Sequence, residues 1–399
     1  MDDNMSGRAP LSAAGKKRAP KLRIALVGLG FGAEFVPIYL HHPGVESLAI
    51  CDADRALLDA LGDNFEVSRR FTELEAILRS DDFDAVHLVT PISLHARQSV
   101  AVLQSGKHCA CTVPMATSLE DLQAILAVQR ASGKVYMGME TAVYTRRFLY
   151  VQEMLRRGEV GRIQFLRGAH YQDMEGWPGY WMGLPPLHYA THAVSPVLAL
   201  AKTRARAVHA LGSGVMRPEL RLSYGNPYPV ESMLMELDGP EPLSAEITRS
   251  LFHTARGYTE SFCIYGEKAT FEWQQLEDEP PVVFRMSGPA GVHAGRQITA
   301  ERVVIPDRQD LLPPEITRFT VRGVYDETNP HLSFLQGGGH EGSHPHLVHE
   351  FISSILKKRS PWPDAATTAS WTAPGICGHL SALQGGVRVE VPDYGKTSQ

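Results

Sequence analysis

The feature that most constrains the fold of this chain is a glycine-rich turn close to its N-terminus. Residues 22–27 form a short apolar run with β-branched members, which predicts a buried strand. The run leads directly into the sequence G-L-G-F-G-A over residues 28–33, and a helix-like segment follows at 34–41. A strand, a G-x-G-x-x-A turn and a helix in this order are the fingerprint of a dinucleotide-binding unit.

The residues of this motif have separate roles in holding a pyrophosphate. Gly28 permits the tight turn, Gly30 lets the backbone approach the phosphates, and Ala33 allows the helix to pack closely on the strand. The next predicted strand ends at Asp52, close to the spacing of about 20 residues expected for the acid that binds the ribose hydroxyls. This acid favours NAD over NADP, because it would repel a 2′-phosphate, although the nearby Arg55 weakens the preference. A glycine turn without a ligand is the less favoured alternative.

Strand and helix patterns continue to alternate as far as residue 139, which is typical of a doubly wound parallel sheet. Ligands of such sheets bind beyond the carboxyl ends of the strands. Polar and turn residues at those predicted ends are therefore expected to surround the cofactor. The candidate cofactor-binding residues are Gly28, Gly30, Phe31, Gly32, Ala33, Asp52, Thr90, Pro91, His95, Thr112, Val113 and Pro114.

A second stretch, residues 184–196, concentrates side chains that can transfer protons. His188, Tyr189 and His192 lie within it, and a helix over 188–200 would place both histidines on one face. An unperturbed histidine pKa near ~6.5 suits His192 to general base catalysis. His188 is predicted to bind substrate. A purely structural role remains the alternative for either histidine.

Aromatic and histidine-rich segments extend this candidate site. Trp177, Tyr180 and Trp181 can form an apolar platform for a sugar face, or they can simply pack as a loop cluster. His340, in the glycine- and histidine-rich segment 337–349, is predicted to contact substrate. A zinc site built from His188, His192, His340 and His344 is conceivable, but the spacing matches no zinc signature, so no metal is predicted.

Composition narrows the class of protein. The chain has 399 residues, 43% of them hydrophobic and 21% charged, with a net charge of −5, so we expect neither a nucleic-acid nor a membrane partner. Five scattered cysteines do not indicate a disulfide framework, and Cys109 and Cys111 are predicted to be a buried reduced pair. No apolar run is long enough to span a membrane, so a cytoplasmic location is expected.

Three regions are predicted along the chain. Residues 1–20 are rich in Ala, Gly, Lys, Arg and Pro, and are expected to be a disordered leader. Residues 21–142 form the cofactor-binding domain. Residues 143–399 form a substrate-binding α/β domain that ends in a closing helix at 364–388. Strand candidates between residues 208 and 286 alternate as in an antiparallel sheet, whereas 287–330 is expected to be a long loop.

These landmarks together resemble the Gfo/Idh/MocA oxidoreductase family. The match comprises the glycine motif, Asp52, Thr90-Pro91 with His95, Gly106-Lys107-His108 leading to the Pro114 turn, and the tail beginning at Trp371. The resemblance implies an N-terminal Rossmann domain with NAD and a C-terminal α/β domain with a large, mostly antiparallel sheet. It also implies a sugar-type substrate and a homo-oligomer formed through that sheet.

The chain departs from the family where the chemistry takes place. Ordinary members have Glu-Lys-Pro with a catalytic lysine, whereas this chain has Thr112-Val113-Pro114. They also carry an aspartate four residues before the catalytic histidine, where His188 stands here. The NAD-dependent glycosidase branch, glycoside hydrolase family 109, is more similar. It shares the valine, a Glu-x-x-x-Tyr segment (residues 140–144), a Tyr-x-Thr-His segment (189–192) and a Gly-Gly-His-x-Gly turn (338–342), although it usually carries Glu at position 112.

The branch resemblance implies hydride transfer at a sugar ring carbon, probably carbon 3, coupled to redox-neutral cleavage by elimination and addition. His192 is the predicted base for the hydroxyl proton and Tyr144 the base at carbon 2, with Tyr189 as a hydrogen-bonding partner. Glu140 is predicted to orient Tyr144 or a substrate hydroxyl. Two alternatives remain: a net sugar or cyclitol dehydrogenase or reductase, and a non-catalytic NAD(H)-binding sensor.

Overall fold

The computed structural model describes residues 20–221, 224–321 and 339–395. The described strands are β1 (Leu22–Val27), β2 (Val45–Cys51), β3 (Arg70–Phe71), β4 (Ala85–Leu88), β5 (His108–Thr112), β6 (Tyr136–Met139), β7 (Ile163–Tyr171), β8 (Ala205–Ser213), β9 (Val230–Leu237), β10 (Ser244–Ser250), β11 (Thr259–Gly266), β12 (Ala269–Glu272), β13 (Val282–Ser287), β14 (Gln297–Arg302) and β15 (Val389–Glu390). The described α-helices are α1 (Val36–His41), α2 (Arg55–Asn64), α3 (Leu74–Arg79), α4 (His95–Gln104), α5 (Leu119–Ser132), α6 (Arg146–Arg156), α7 (Thr191–Ala201), α8 (His344–Leu356) and α9 (Ala365–Leu383).

The N-terminal sheet has the strand order β3-β2-β1-β4-β5-β6, and each described pair of neighbours is parallel. This order is that of a doubly wound dinucleotide-binding fold. Two of its helices begin at capping side chains: Asp54 accepts hydrogen bonds at the start of α2, and Ser118 does so at the start of α5. Gly133 ends α5 with a left-handed φ of 64°. The predicted N-terminal fold is confirmed.

The second sheet has the order β14-β13-β12-β11-β7-β10-β9-β8-β15. Among these described strands, β7 and β10 pair in parallel and the other neighbours are antiparallel. Burial alternates along β8, β9 and β10, because one face is covered by helices and the other is open. The predicted large, mostly antiparallel sheet is confirmed.

The last two helices return to the N-terminal sheet. Apolar side chains of α8, including Leu347 and Phe351, pack in one core cluster with β1, α1 and β2. Helix α9 contacts α5 and β6 on one side and β8 and α7 on the other. It also approaches the turn at 186–189 closely: a Cβ on Gly375 would lie 2.0 Å from the carbonyl oxygen of Leu187. Helix α9 therefore joins the two sheets at the segment that carries the candidate base.

The expected loop at 287–330 is partly wrong. Strand β14 pairs antiparallel with β13, and 3-10 helices occupy 309–311 and 314–320. The side chains of β14 are all exposed, so the strand lacks the apolar alternation by which strands are predicted. Residues 322–330 and the predicted leader, except for residue 20, lie outside the described residues. None of the described helices combines the length and the apolar character needed to cross a membrane.

Candidate active site

Five polar side chains from five different elements converge between the two sheets. Glu140 follows the carboxyl end of β6, Tyr189 ends a 3-10 turn at 186–189, and His192 lies in the first turn of α7. Glu260 lies near the start of β11, and His340 lies in a turn at 339–342, where its backbone is left-handed with φ 42°. We call these five residues the proton-transfer cluster. Its position beyond the end of a parallel strand is where doubly wound folds bind ligands.

The centre of the cluster is a chain of three side chains. Nδ1 of His192 lies 2.6 Å from Oε1 of Glu140, and Nε2 lies 3.1 Å from the hydroxyl of Tyr189. Because a carboxylate only accepts, the Nδ1–H of His192 donates to Glu140, and Nε2 of the neutral ring is left as an acceptor. His192 is therefore oriented as a general base, with Tyr189 donating to the nitrogen that takes the proton.

Glu260 supplies a second carboxylate to the cluster. Its Oε2 lies 3.2 Å from Nδ1 of His340, and its Oε1 lies 3.7 Å from Nε2 of His192. The hydroxyl of Tyr258 donates to Oε1, and Nε2 of His170 is 3.9 Å from the same oxygen. Its side chain is only 8% exposed, so few water molecules compete for these contacts.

The buried carboxylates change the protonation of the histidines. Burial opposes the charge on His192, but Glu140 and Glu260 outweigh it and raise the pKa of this imidazole above its usual value. Burial likewise opposes charge on His340, yet Glu260 raises its pKa to about 9. Burial lowers the pKa of His170 well below its usual value, with Arg249 acting in the same direction. The carboxylates therefore make proton uptake by His192 and by His340 easier, whereas burial disfavours it at His170.

Sequence reasoning missed Glu260, Tyr258, His170 and Arg249, which belong to no recognised motif. Three of them carry a signal in the strand periodicity. In β11, Glu260 shares a face with two buried apolar residues, and His170 and Arg249 occupy equivalent core-facing positions in β7 and β10. A titratable residue at a core-facing position near the end of a strand is the pattern that would have identified them.

The structure separates His188 from His192. The segment is a 3-10 turn at 186–189 followed by α7 from Thr191, and Ala190 between them has φ −100° and ψ 3°. The expected shared helical face is therefore wrong. The ring of His188 lies 5.0 Å from that of His379, and burial lowers the pKa of His188 to about 3. The structure does not bring His188 to the proton-transfer cluster.

The structure does not bring Tyr144, the predicted second base, to the proton-transfer cluster either. Its hydroxyl donates to the carbonyl of Trp362 at 2.5 Å, and its ring packs against the rings of Trp362 and His346. Burial raises its pKa well above its usual value, which makes the phenolate costly to form. Tyr144 thus joins α6 to the segment before α9, and Glu140 orients His192 rather than Tyr144.

Of the three aromatic residues predicted to form either a sugar platform or a packed loop cluster, one is buried and two are exposed. Trp181 is buried and packs on Tyr189 at a ring distance of 5.0 Å, so it supports the cluster. Trp177 is 50% exposed and Tyr180 is 36% exposed, and both contact the ring of Trp181. The two exposed rings remain available to a sugar face.

The glycine turn fits a dinucleotide at its predicted position. Gly28 has φ +92°, and a Cβ there would lie 2.3 Å from the carbonyl oxygen of Val89, so only glycine is accommodated. A Cβ on Gly30 would meet no atom within 4 Å, which leaves this backbone open to a ligand. Asp52 accepts a hydrogen bond from the backbone N–H of Leu29 at 2.7 Å and so lies against the turn.

The neighbouring motif residues complete this side of the cleft. Gly32 and Ala33 are buried where the 3-10 turn packs on β4 and β1. The ring of Phe31 lies 5.7 Å from the ring of His340. Phe31 thus connects the glycine turn with the proton-transfer cluster. Its side chain is 40% exposed.

His95 holds the ends of two neighbouring strands together. Its Nδ1 lies 2.7 Å from the carbonyl of Pro114, and its Nε2 lies 2.8 Å from the carbonyl of Thr90. Two carbonyl acceptors are satisfied together only when both ring nitrogens carry hydrogen. His95 thus shapes the cofactor cleft by positioning the main chain after β4 and β5. Pro91 follows Thr90 in the same loop.

The turn after β5 carries no catalytic cation. Val113 is 7% exposed and precedes a cis peptide bond to Pro114, and Thr112 donates its hydroxyl to the carbonyl of Leu88. An alkyl side chain can neither polarise nor deprotonate a substrate oxygen. Among the residues placed at the site, the histidines and tyrosines of the proton-transfer cluster are the groups able to transfer a proton.

A pocket of about 900 Å³ opens beside the cluster. Tyr258, Glu260 and His340 form part of its wall, and Trp273 and Arg147 form another part. This volume lies in the upper range of small-molecule sites in proteins. Within the described ranges, no group of three His, Cys, Asp or Glu side chains is arranged to hold a metal ion.

Comparison with known proteins agrees with this geometry. Residues 22–139 match the Gfo/Idh/MocA family, described as an oxidoreductase family with an NAD-binding Rossmann fold. This region is therefore similar to that family, and the predicted resemblance is confirmed. The N-terminal domain is an NAD-binding fold, as the glycine motif predicts.

Relatives by sequence narrow the comparison to one branch. The chain is 30% identical over 221 residues to a glycosyl hydrolase family 109 protein of Shewanella baltica, over 48% of each chain. It is 29% identical over 226 residues to an alpha-N-acetylgalactosaminidase of Shewanella oneidensis, over 49% of each chain. The chain thus spans about half the length of the curated relatives it matches.

Solved structures extend the similarity of fold to nearly the whole chain. A levoglucosan dehydrogenase in complex with NADH and levoglucosan has a TM-score of 0.72 at 19% identity, covering 93% of this chain and all of that one. Scyllo-inositol dehydrogenase from Lactobacillus casei has a TM-score of 0.68 at 17% identity, covering 93% and 98%. At this identity, the two structures show that the chain shares their fold.

Proposed function

We propose that this protein is an NAD(H)-dependent enzyme that acts on a carbohydrate and cleaves a glycosidic bond without net oxidation. The observation that carries the proposal is the Glu140–His192–Tyr189 chain, buried beside the glycine turn of the N-terminal domain. Val113 supports the glycosidase alternative to a dehydrogenase, because the usual lysine is absent. The relatives named glycosyl hydrolase family 109 protein support the same assignment.

The proposed reaction begins at a ring hydroxyl, at carbon 3. His192 accepts the hydroxyl proton at Nε2, while Glu140 stabilises the imidazolium that forms. Bound NAD⁺ supplies the hydride acceptor and later the hydride donor. The carbon 3 ketone makes the hydrogen on carbon 2 acidic, so a base there allows the substituent on carbon 1 to leave.

Tyr189 replaces Tyr144 in the proposed second proton transfer. In the elimination, the imidazolium of His192 returns the hydroxyl proton to the departing oxygen on carbon 1. The hydroxyl of Tyr189 contacts His192, so the proton taken at carbon 2 can pass to the neutral imidazole that this leaves. The guanidinium of Arg249 lies 5.2 Å from the ring centre of Tyr189, and its Nε donates to the carbonyl of the same residue. Burial raises the pKa of Tyr189 as it raises that of Tyr144, but Arg249 acts in the opposite direction on Tyr189 and also fixes its ring. Trp177, Tyr180 and the pocket beside His340 are proposed to bind the sugar.

A single assay tests the proposal against its alternatives. The full chain is incubated with a panel of aryl glycosides, with and without added NAD⁺, and both the released aglycone and the absorbance of NADH are followed. Aglycone release without net NADH is the expected result. Stoichiometric NADH would instead support a dehydrogenase, and NAD binding without either product would support a sensor. Glu153→Gln, on α6, where the carboxylate pairs with Arg156 and Arg157, is the matched control for active-site variants.

The proposed assembly is a homo-oligomer formed through the open face of the second sheet. Leu211 on β8 is 61% exposed and Leu234 on β9 is 52% exposed. Exposed leucines on a regular sheet face are typical of protein contact surfaces. Light scattering coupled to size-exclusion chromatography is expected to give a multiple of the chain mass, and Leu234→Glu is expected to lower it.

A further inference from the structure

Glu260 has more contacts than the proposed proton transfer requires. The Glu140–His192–Tyr189 chain already orients His192 and already provides a carboxylate to stabilise the charge that His192 gains as a base. Glu260 is nevertheless buried on a core-facing position of β11, where an isolated carboxylate is costly. The contacts it makes on both oxygens indicate what compensates that cost.

Its two oxygens contact different histidines. Oε2 lies 3.2 Å from Nδ1 of His340, and Oε1 lies 3.7 Å from Nε2 of His192. The rings of the two histidines are 5.8 Å apart, so a second positive charge would repel the first across a short distance. A carboxylate between them is close enough to stabilise either imidazolium, or both.

We propose that Glu260 is a positioning residue that serves as the shared counter-ion of His192 and His340 and so couples their protonation. At rest, the carboxylate balances a protonated His340. When His192 takes the substrate proton, the same carboxylate balances the new charge without any rearrangement of the site. The inference rests on the proposed function only for the step in which His192 takes the substrate proton. The coupling itself is a property of the resting protein.

Other charged and titratable groups face this trio from each neighbouring element. Glu140 follows β6, Tyr189 precedes α7, His170 lies on β7, and Arg249 lies on β10. On the remaining sides are Tyr258, Glu34, Glu341 and His344. Glu140 bonds only His192 within the trio, whereas Glu260 contacts both histidines. Coupling of the two histidines is therefore expected to depend on Glu260.

The test uses Glu260→Gln in the full chain, because glutamine retains the shape and removes the charge. Loss of the carboxylate lowers the proton affinity of both histidines. Both limbs of the pH profile of kcat/KM are therefore expected to move to lower pH by about one unit or more. A purely structural role would lower the amplitude and leave both limbs in place, and that result would overturn the proposal. Glu153→Gln, the matched control, should leave the profile unchanged.

Two further measurements keep the test decisive. The first is a proton NMR titration of His192 and His340, which needs no substrate. The two signals are assigned with variants in which one of these histidines is replaced. If the wild-type chain cleaves no carbohydrate, the proposed function fails, but a fall of both titration midpoints in Glu260→Gln still supports the counter-ion. Unchanged midpoints would overturn it even in an active enzyme. Should Glu260→Gln not fold, Glu260→Asp, with a shorter reach, is expected to move both midpoints in the same direction by less, and no movement would refute the proposal.

Discussion

Replacing Glu140 by glutamine isolates the charge on the residue that orients the base. Oε1 of Glu140 accepts from Nδ1 of His192 at 2.6 Å and from the backbone N–H of Ala142 at 3.0 Å, whereas Oε2 has no partner among the described residues. Glutamine can place its carbonyl oxygen where Oε1 lies and its amide nitrogen where Oε2 lies. The variant therefore keeps both hydrogen bonds and loses only the charge.

The expected effect follows from the difference between a charged and a neutral hydrogen bond. That difference is about 1–2 kcal/mol, which corresponds to a fall in kcat of about 5- to 30-fold. The acidic limb of the kcat profile should also move to lower pH, because the loss of Glu140 removes a negative charge that raises the pKa of His192.

The assay is steady-state aglycone release across the pH range, with NAD affinity measured separately by titration. NAD affinity should be unchanged, because the glycine turn is untouched. Thermal denaturation checks that the unpartnered amide leaves the fold intact, and Glu153→Gln provides the control for a lost carboxylate. An unchanged kcat, or a loss of NAD affinity that accounts for the whole effect, would refute the role given to Glu140.

Four further predictions test separate parts of the structure. His192→Ala should abolish turnover and leave NAD affinity nearly unchanged by titration, and a loss of NAD binding would contradict the division of labour between the domains. Gly28→Ala should lower the free energy of unfolding by about 1–3 kcal/mol and weaken NAD binding, because the added Cβ meets the carbonyl of Val89 at a left-handed φ. Tyr144→Phe should lower stability by about 0.5–1.5 kcal/mol in denaturant unfolding, and a large fall in kcat would restore Tyr144 as a base. The pKa of His340 is raised to about 9, since Glu260 outweighs burial, so its stabilisation is complete below about pH 6.5 and is lost as the pH rises through about 9. Unfolding curves of His340→Gln should show a weaker loss of stability over that interval.

The N-terminal fold could be predicted closely because its signals are local. Residues Leu22–Val27 and Val45–Cys51 form the strands expected from their apolar runs, and the glycine turn lies between β1 and α1. Each of these features depends on neighbours along the chain. The same holds for Asp52, whose position at the end of β2 follows from the strand that precedes it.

The site could be predicted only in part, because its contacts join distant segments. His192 and Tyr189 were accessible from sequence through their motif, but Glu260 meets them only because β11 pairs with β7. The separation of His188 from His192 depends on one residue, Ala190, whose backbone leaves the helical region without any turn signal in its sequence. Such backbone breaks and strand pairings are set by tertiary packing, which periodicity does not report.

The absence of lysine at position 113 and the presence of two carboxylates follow from one electrostatic requirement. An ammonium group near the substrate would polarise its oxygen, but it would also repel a proton from a nearby histidine. Without that cation, the positive charge of the site has to be carried by His192 and His340. Two buried imidazolium groups need two buried carboxylates, and Glu140 and Glu260 supply them. Under the proposed function, the charge that His192 gains with the substrate proton is therefore balanced within the site.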